Sequence, residues 1–368
     1  EPGAHVFLAY VGDAHEAERI LSDAGAPFYP AVLGSVALAS AQCRMRLSPF
    51  PPGTMPQVID YEHGISAIDS GYHRPMLDAI HLLVEGDRAA IIDTGTNHSV
   101  PLVLEAMRQK GLRPEQVDFV ILTHIHLDHA GGAGLFMRAF PNATLTVHPR
   151  GARHMADPGK LIAGTVAVYG EEPTRRMYGD ILPVPAQRIL ETPHASAIRL
   201  NGRELQFLDT PGHARHHVAI LDTKSGQVFA GDVFGLSYRE MDEGGRQFIV
   251  PTSSPVQFDP EPYHRSIDLI LRLKPEAVYV THYSQIRDIQ DKGAVLHRLV
   301  DAHAELGLRE KDAGPERPER LREGVKRIFL EEARRWGSRL PDERILEIYS
   351  NDVELNAQGL GFWLDTLN

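Results

Sequence analysis

The sequence predicts an α/β protein in which mixed sheets stack on one another under a cover of helices. Three observations carry that expectation. Short apolar runs rich in β-branched and aromatic residues recur between residues 65 and 281, as buried strands do. Segments 97–110 and 262–273 read as helices set among them. Several of the runs end on a histidine or an aspartate, which gathers reactive side chains at strand ends.

Taken in order, strands are expected at residues 65–69, 79–85 and 89–93. Asn97 or Ser99 then caps a helix that runs to about Lys110 and stops at Gly111. Strands at 117–123 and 143–147 follow and, after an interruption, strands at 204–208, 218–221 and 227–230. The helix at 262–273 leads into a last strand at 277–281. The interruption, residues 149–198, is broken by Pro158-Gly159, Pro183, Pro185 and Pro193 and reads as short helices and loops, placed to form a lid or pocket wall. Its six basic side chains meet five acidic ones, so it reads as solvated surface and not as a binding patch. Beyond residue 285 the pattern is helical, with stretches at 294–306 and 320–336 joined by a charged, proline-containing linker. Val325, Ile328, Phe329 and Ala333 form one apolar stripe there, either a core face or the contact of a homodimer.

Residues 1–54 look foreign to the rest and run into a proline-rich linker at 49–56. An apolar stretch at 31–41 has the character of a signal-peptide core, but it lies too far into the chain and lacks basic residues before it. The expected division is an N-terminal extension (1–54), a catalytic region (55–285) interrupted at 149–198, and a helical extension (286–368), with a functional chain able to start at Met55.

Composition narrows the function classes. Against 49 acidic side chains stand 38 basic ones, a formal charge of −11 that argues against a nucleic-acid partner, whose phosphates need a basic stripe. No apolar run reaches the length of a membrane span. The single Cys43 cannot form a disulfide within the chain, which fits a reducing cytoplasm. A small molecule is the expected partner.

The segment Thr123-His124-Ile125-His126-Leu127-Asp128-His129 places four candidate metal ligands within six residues at the end of an apolar strand. Gly131-Gly132 follows, so the backbone can bend around an ion. Imidazole is the commonest ligand for zinc and iron, and carboxylate adds a harder donor. Three later strand ends present His213, Asp232 and His282. A single strand-end histidine is more often structural than a ligand, and the other histidines, His81 and His264 among them, are read that way, with His216 and His217 intermediate. The ordered set is what marks a metal site.

The order H-x-H-x-D-H, P-G-H, G-D, T-H resembles the metallo-β-lactamase-fold hydrolase superfamily, in the branch of glyoxalase II and related thioesterases. Asp93, in Ile91-Ile92-Asp93-Thr94-Gly95, matches that family's early strand-end aspartate. The resemblance covers roughly residues 65–285 and implies an αβ/βα sandwich with the site at one edge of its sheets, here followed by the helical extension. It further implies that His124, His126 and His213 hold one divalent ion, that Asp128, His129 and His282 hold a second, and that Asp232 bridges them. Zinc is the first expectation for both ions, with iron or manganese accepted by the same donors. Asp93 and His217 would orient the ligands from behind. The chain carries Ala214 and His216 where the glyoxalase pattern T-P-G-H-T-x-G-H has threonine and glycine, so that enzyme's substrate does not carry over with the motif.

What the resemblance implies chemically is hydrolysis of a small ester, thioester or lactone by a hydroxide shared between two ions. Asp128 would take part in catalysis, and Tyr283, next to His282, is a candidate donor to the substrate. The same fold hosts iron-dependent redox enzymes such as sulfur dioxygenases, and phosphodiesterases. The full second ligand set favours two metals over one iron, and His126 stands where diiron reductases carry glutamate.

Overall fold

The computed structural model describes residues 55–254 and 257–367. The expectations for residues 1–54 lie outside the described residues. One sheet has seven strands in sequence order: β1 (Val58–Asp60), β2 (Ile65–Asp69), β3 (Ala79–Glu85), β4 (Arg88–Ile92), β5 (Val117–Ile121), β6 (Thr144–Val147) and β7 (Ile189–Glu191). The other has six: β8 (Ala197–Leu200), β9 (Arg203–Asp209), β10 (Val218–Asp222), β11 (Gln227–Gly231), β12 (Val278–Val280) and β13 (Ser284–Ile286), ordered β13-β12-β11-β10-β9-β8.

Parallel pairs need crossovers, and helices supply them. α1 (Val100–Gln109) links β4 to β5; α2 (Leu127–Ala130) and α3 (Ala133–Ala139) link β5 to β6. Between β6 and β7 stand α4 (Pro149–Ala156), α5 (Gly159–Tyr169) and α6 (Glu171–Tyr178). α7 (Pro260–Leu273) joins β11 to β12, and the chain closes with α8 (Ile289–Glu310), α9 (Arg317–Trp336), α10 (Asp342–Ile348) and α11 (Ser350–Asp365).

Strand periodicity sorts the side chains into layers. Ala90 and Ile92 of β4 meet Phe207, Ile220, Phe229 and Tyr279 between the sheets. Ala89 and Ile91 point the other way, into a layer with Val103, Ala106 and Met107 of α1 and Phe136 of α3. On the far face Val228, Ala230, Val278 and Val280 pack under α7, α8 and α9. Val325, Phe329 and Ala333 of the apolar stripe are fully buried in that layer and Ile328 is half-buried against it, so the stripe is core within the chain. His81 lies between the sheets, its ring 5.5 Å from those of Phe229 and Tyr279.

The interruption at 149–198 contributes three helices and also β7, which lengthens the first sheet beside β6. Among the described residues no helix is long and apolar enough to cross a membrane. What the topology does for function is bring strand ends together. β4 runs parallel to β5 and β11 parallel to β12, so the carboxyl ends of each pair lie side by side. Val218 N donates to Thr123 O at 2.8 Å and joins the two edges.

Candidate metal centre

The turn after β5 carries the first ligands. His126 precedes the single turn of α2, which presents Asp128 and His129. His124 Nε2 and His126 Nδ1 are 2.9 Å apart, and His213 Nε2, from the turn after β9, lies 3.3 and 3.0 Å from them. Nitrogens that each sit about 2.05 Å from one tetrahedral zinc are about 3.3 Å from one another. A second group forms beside the first: Asp128 Oδ2 is 3.6 Å from His129 Nε2 and 3.7 Å from His282 Nε2. Asp232 stands between the groups. Its Oδ1 is 3.3 Å from His129 Nε2 and 3.5 Å from His282 Nε2, while its Oδ2 is 3.5 Å from His213 Nε2.

Hydrogen bonds behind the ligands fix which nitrogen faces inward. Asp93 Oδ2 lies 2.8 Å from His129 Nδ1, and since a carboxylate only accepts, that nitrogen carries the proton and Nε2 offers a lone pair. Asp93 also accepts from Thr123 N at 2.8 Å and from the Thr123 and Thr281 hydroxyls, so one side chain ties the ends of β4, β5 and β12. His217 Nε2 accepts from Asp232 N at 3.2 Å, and its Nδ1 lies 2.9 Å from Thr210 Oγ1. That contact needs glycine at 231: φ is +49°, and a Cβ there would lie 2.6 Å from His217 Nε2.

The electrostatics divide the ligands. Burial pushes His124 and His126 well below the ordinary histidine value, with neighbouring imidazoles adding to it, so both are neutral donors. Burial acts the same way on His129 and His282, but carboxylates outweigh it: Asp232, Asp128 and Asp93 around the former, Asp232 and Asp78 around the latter, raise both well above that value. Asp232 is pushed up by burial yet held well below the carboxylate range by His129 and His282. The pocket draws positive charge inward, and His129 Nε2 and Asp232 Oδ1 are buried with no hydrogen-bond partner. Convergent lone pairs, a carboxylate facing two ligand groups and orphaned donor atoms all fit bound dications.

All seven candidate ligands thus gather in one cluster with Asp93 and His217 behind them, and His126, Asp128, Asp232 and His282 line the cavity, whereas Tyr283 does not reach it. Its ring is buried with Ala67 and Ala79, and its hydroxyl, closed in without a partner, is not part of the cavity wall. His282 and Tyr283 both stand in the turn between β12 and β13, which aims the former at the ligands and places the latter in the layer with Ala67 and Ala79. The tyrosines that do line the cavity are Tyr72, Tyr178 and Tyr238. Tyr72 and Tyr178 place their hydroxyls 3.0 Å apart and join the 70–78 loop to the end of α6.

Sequence reasoning passed over Asp78 and Asp352. Asp78 Oδ1 lies 2.8 Å from His282 Nδ1 as an ion-pair contact, while the hydrogen bond of that nitrogen runs to Leu77 O at 3.2 Å. Burial pushes the Asp78 carboxyl up to about 6, against the pull of His282. Its signal was a carboxylate immediately before a buried strand. Asp352, on the first turn of α11, lines the cavity and had no local signal beyond a polar position in an apolar helix.

The model of the metallo-beta-lactamase superfamily matches residues 79–282, which hold every candidate ligand and end on His282. A metallo-beta-lactamase family protein from Thermus thermophilus shares the fold with a TM-score of 0.58 at 20% identity, over 82% of this chain and 93% of that one. An archaeal metallo-beta-lactamase superfamily protein from Sulfolobus tokodaii does so with a TM-score of 0.53 at 21% identity, over 81% and 98%. Hydroxyacylglutathione hydrolase from Xanthomonas campestris is 28% identical over 164 residues, 44% of this chain and about half (49%) of that enzyme. Fold, ligand order and family match agree, and the chain belongs to the metallo-beta-lactamase superfamily, whose members are mostly metal-dependent hydrolases.

Proposed function

We propose that the chain is a dinuclear metal-dependent hydrolase of a small ester, thioester or lactone. The observation that carries this reading is Asp232, which turns Oδ2 toward His213 and Oδ1 toward His129 and His282. His124, His126 and His213 would hold one ion, Asp128, His129 and His282 the other, and Asp232 both. Zinc suits these donors best, and iron and manganese accept them too. When bound, such a pair acts as a Lewis acid and lowers the pKa of a bound water to about 7.

The residues around the ions have separate tasks. Asp93 holds His129, and the Leu77 carbonyl with Asp78 beside it holds His282, in the tautomer that presents Nε2. His217 pins the backbone of Asp232. Asp128, a quarter exposed, is the most exposed of the ligands that line the cavity. The cavity, of about 70 Å³, is closed on one side by the Tyr72–Tyr178 hydroxyl pair, which limits bulk water at the reacting carbonyl. The likeness to hydroxyacylglutathione hydrolase supports the thioester arm, and a thiolate leaves without a protonating group, which suits a site whose neighbouring tyrosine faces away. Elemental mass spectrometry on protein grown without metal supplements should find about two ions per chain, and a panel of thioesters, esters and lactones should show turnover that Asp128→Ala abolishes. A folded protein that takes up no metal after reconstitution would refute the reading.

A further inference from the structure

Helix α11 brings into the cavity a carboxylate that the ligand set does not use. Asp352 is 7% exposed, and its Oδ1 accepts from the Tyr238 hydroxyl at 3.1 Å. Among the described residues no cation pairs with it: Arg74 lies over the Tyr238 ring, 4.5 Å from its centre, and is paired with Glu240. Burial pushes the Asp352 carboxyl up to about 7 against the pull of His282, the Tyr238 hydroxyl and Arg74, whereas dications in the cleft favour the ionised form of any carboxyl near them. An ionised carboxylate accepts through about four lone pairs, so with one donor Asp352 has acceptor capacity to spare.

Its position gives that capacity a use. The inner cavity, about 70 Å³, reaches Asp128, Asp232 and His282, and a larger one, about 470 Å³, opens outward beside Arg74, Glu347 and Glu354. Leu77, Asn351 and Asp352 line both, so they form the neck between them. A substrate that enters from the outer groove with its carbonyl at the ligands passes Asp352, with a small end inside and its bulk in the groove. The inner space admits only a few heavy atoms, so what meets Asp352 lies beside the reacting carbonyl.

The neck is held in place. Asn356 Nδ2 donates to Asp352 O at 2.7 Å, and Asn356 Oδ1 accepts from both the amide and the hydroxyl of Ser253. A Cβ on Gly359 would lie 1.5 Å from Ser253 O, so α11 lies directly on this loop. The next residue, Ser254, places its hydroxyl 3.4 Å from His213 Nδ1.

A buried carboxylate with acceptor capacity to spare is the chemistry that receives a cation: a charge-assisted hydrogen bond is about twice as strong as a neutral one. We propose that Asp352, with Tyr238, recognises a protonated amino group on the carbon next to the scissile carbonyl, so that the substrates are small aminoacyl esters or thioesters. This rests on the hydrolase reading above.

The test uses the metal-loaded enzyme and phenyl thioesters of alanine, lactic acid and isobutyric acid, which differ only in carrying an ammonium, a hydroxyl or a methyl group. The alanine ester should exceed the isobutyrate ester at least about tenfold in kcat/KM, the worth of a hydrogen bond to a charged group, with lactate between. Asp352→Asn should collapse that ratio toward one. A flat wild-type series, or a ratio that survives in Asp352→Asn, overturns the proposal. Calorimetric binding of alaninamide and isobutyramide to the same proteins keeps the two readings separate. Tighter binding of alaninamide that Asp352→Asn removes supports the recognition site even if no thioester is cleaved, in which case the hydrolase reading alone fails. Equal binding of the two amides overturns the site.

Discussion

Replacing Asp78 by asparagine tests whether one ion depends on a carboxylate that lies outside every ligand motif. Asp78 is 1% exposed, and its Oδ1 is 2.8 Å from His282 Nδ1, with Leu77 O at 3.2 Å from the same nitrogen. A carboxylate behind a ligating histidine fixes the ring and raises its basicity, and its loss costs about 10–100-fold in metal affinity. The Leu77 carbonyl remains in the variant and favours the same tautomer, so the expected loss is near the lower end, about tenfold or 1.4 kcal/mol. It should fall on one ion only. His124, His126 and His213 make no contact with Asp78, so the group they form keeps its affinity.

The assay is a competitive titration of the metal-free protein with cobalt or zinc against a chromophoric chelator, resolved into two steps. In Asp78→Asn one step should weaken about tenfold and the other should stay within about twofold. Urea unfolding of the metal-free variant separates loss of a ligand support from general damage. Two unchanged steps would refute the role given to Asp78, and two equally weakened steps would refute the division of the ligands into separate groups.

Three further outcomes are expected. Gly231→Ala puts a Cβ 2.6 Å from His217 Nε2 and 2.8 Å from Thr123 Oγ1 at a φ of +49°, so it should cost about 2–3 kcal/mol in urea unfolding and weaken binding of both ions through Asp232. His81 is buried as the neutral ring, burial pushing it down to about 4 although Asp93 pulls the other way. Because the folded value lies below the unfolded one, the unfolded chain takes up the proton first, and stability falls as pH drops below about 6.5 and levels off near 4. His81→Phe, which keeps a ring against Phe229 and Tyr279, should therefore lose about 2 kcal/mol less than wild type between pH 7 and pH 5 in urea titrations; parallel losses would show that His81 is not the group. Asn356→Ala leaves the Ser253 amide and hydroxyl without their acceptor and should cost about 1–3 kcal/mol together with part of kcat; full stability with full activity would mean that α11 does not hold the neck.

How far the sequence could be read depended on how local the determining contacts are. The strands expected at 65–69 and 79–85 are β2 and β3 as found, because apolar residues predominate in both and each pairs with its immediate neighbours. β1, β7, β8 and β13 were not anticipated; each has only three or four residues, and each lies at the edge of a sheet, where half the pairing that defines a strand is missing. The ligand cluster was legible because His124, His126, Asp128 and His129 fall within one turn. Asp78 was not, since its partner His282 is distant in sequence and the pairing exists only once β3 lies beside the end of β12. Tyr283 was misread for the opposite reason. Nearness in sequence to a ligand is not nearness in space here, because the turn between β12 and β13 sends His282 and Tyr283 to different layers.

The helical tail shows where that limit matters for function. Its apolar spacing foretold helices and a buried face, and Val325, Phe329 and Ala333 do supply one. Spacing cannot foretell that a polar turn at the start of α11 also points inward, because Asp352 faces a cavity built from β11, β12 and the 70–78 loop, all far away in sequence. The superfamily match ends on His282, yet Asn351, Asp352 and Leu355 line the cavity beyond it. Ligands therefore come from the part of the chain that the superfamily shares, while part of the wall the substrate must pass comes from a segment outside that match. Two relatives with the same ligands can then differ in substrate through the tail alone, and selectivity in this chain should be sought at Asp352, which the tail supplies, before it is sought among the ligands.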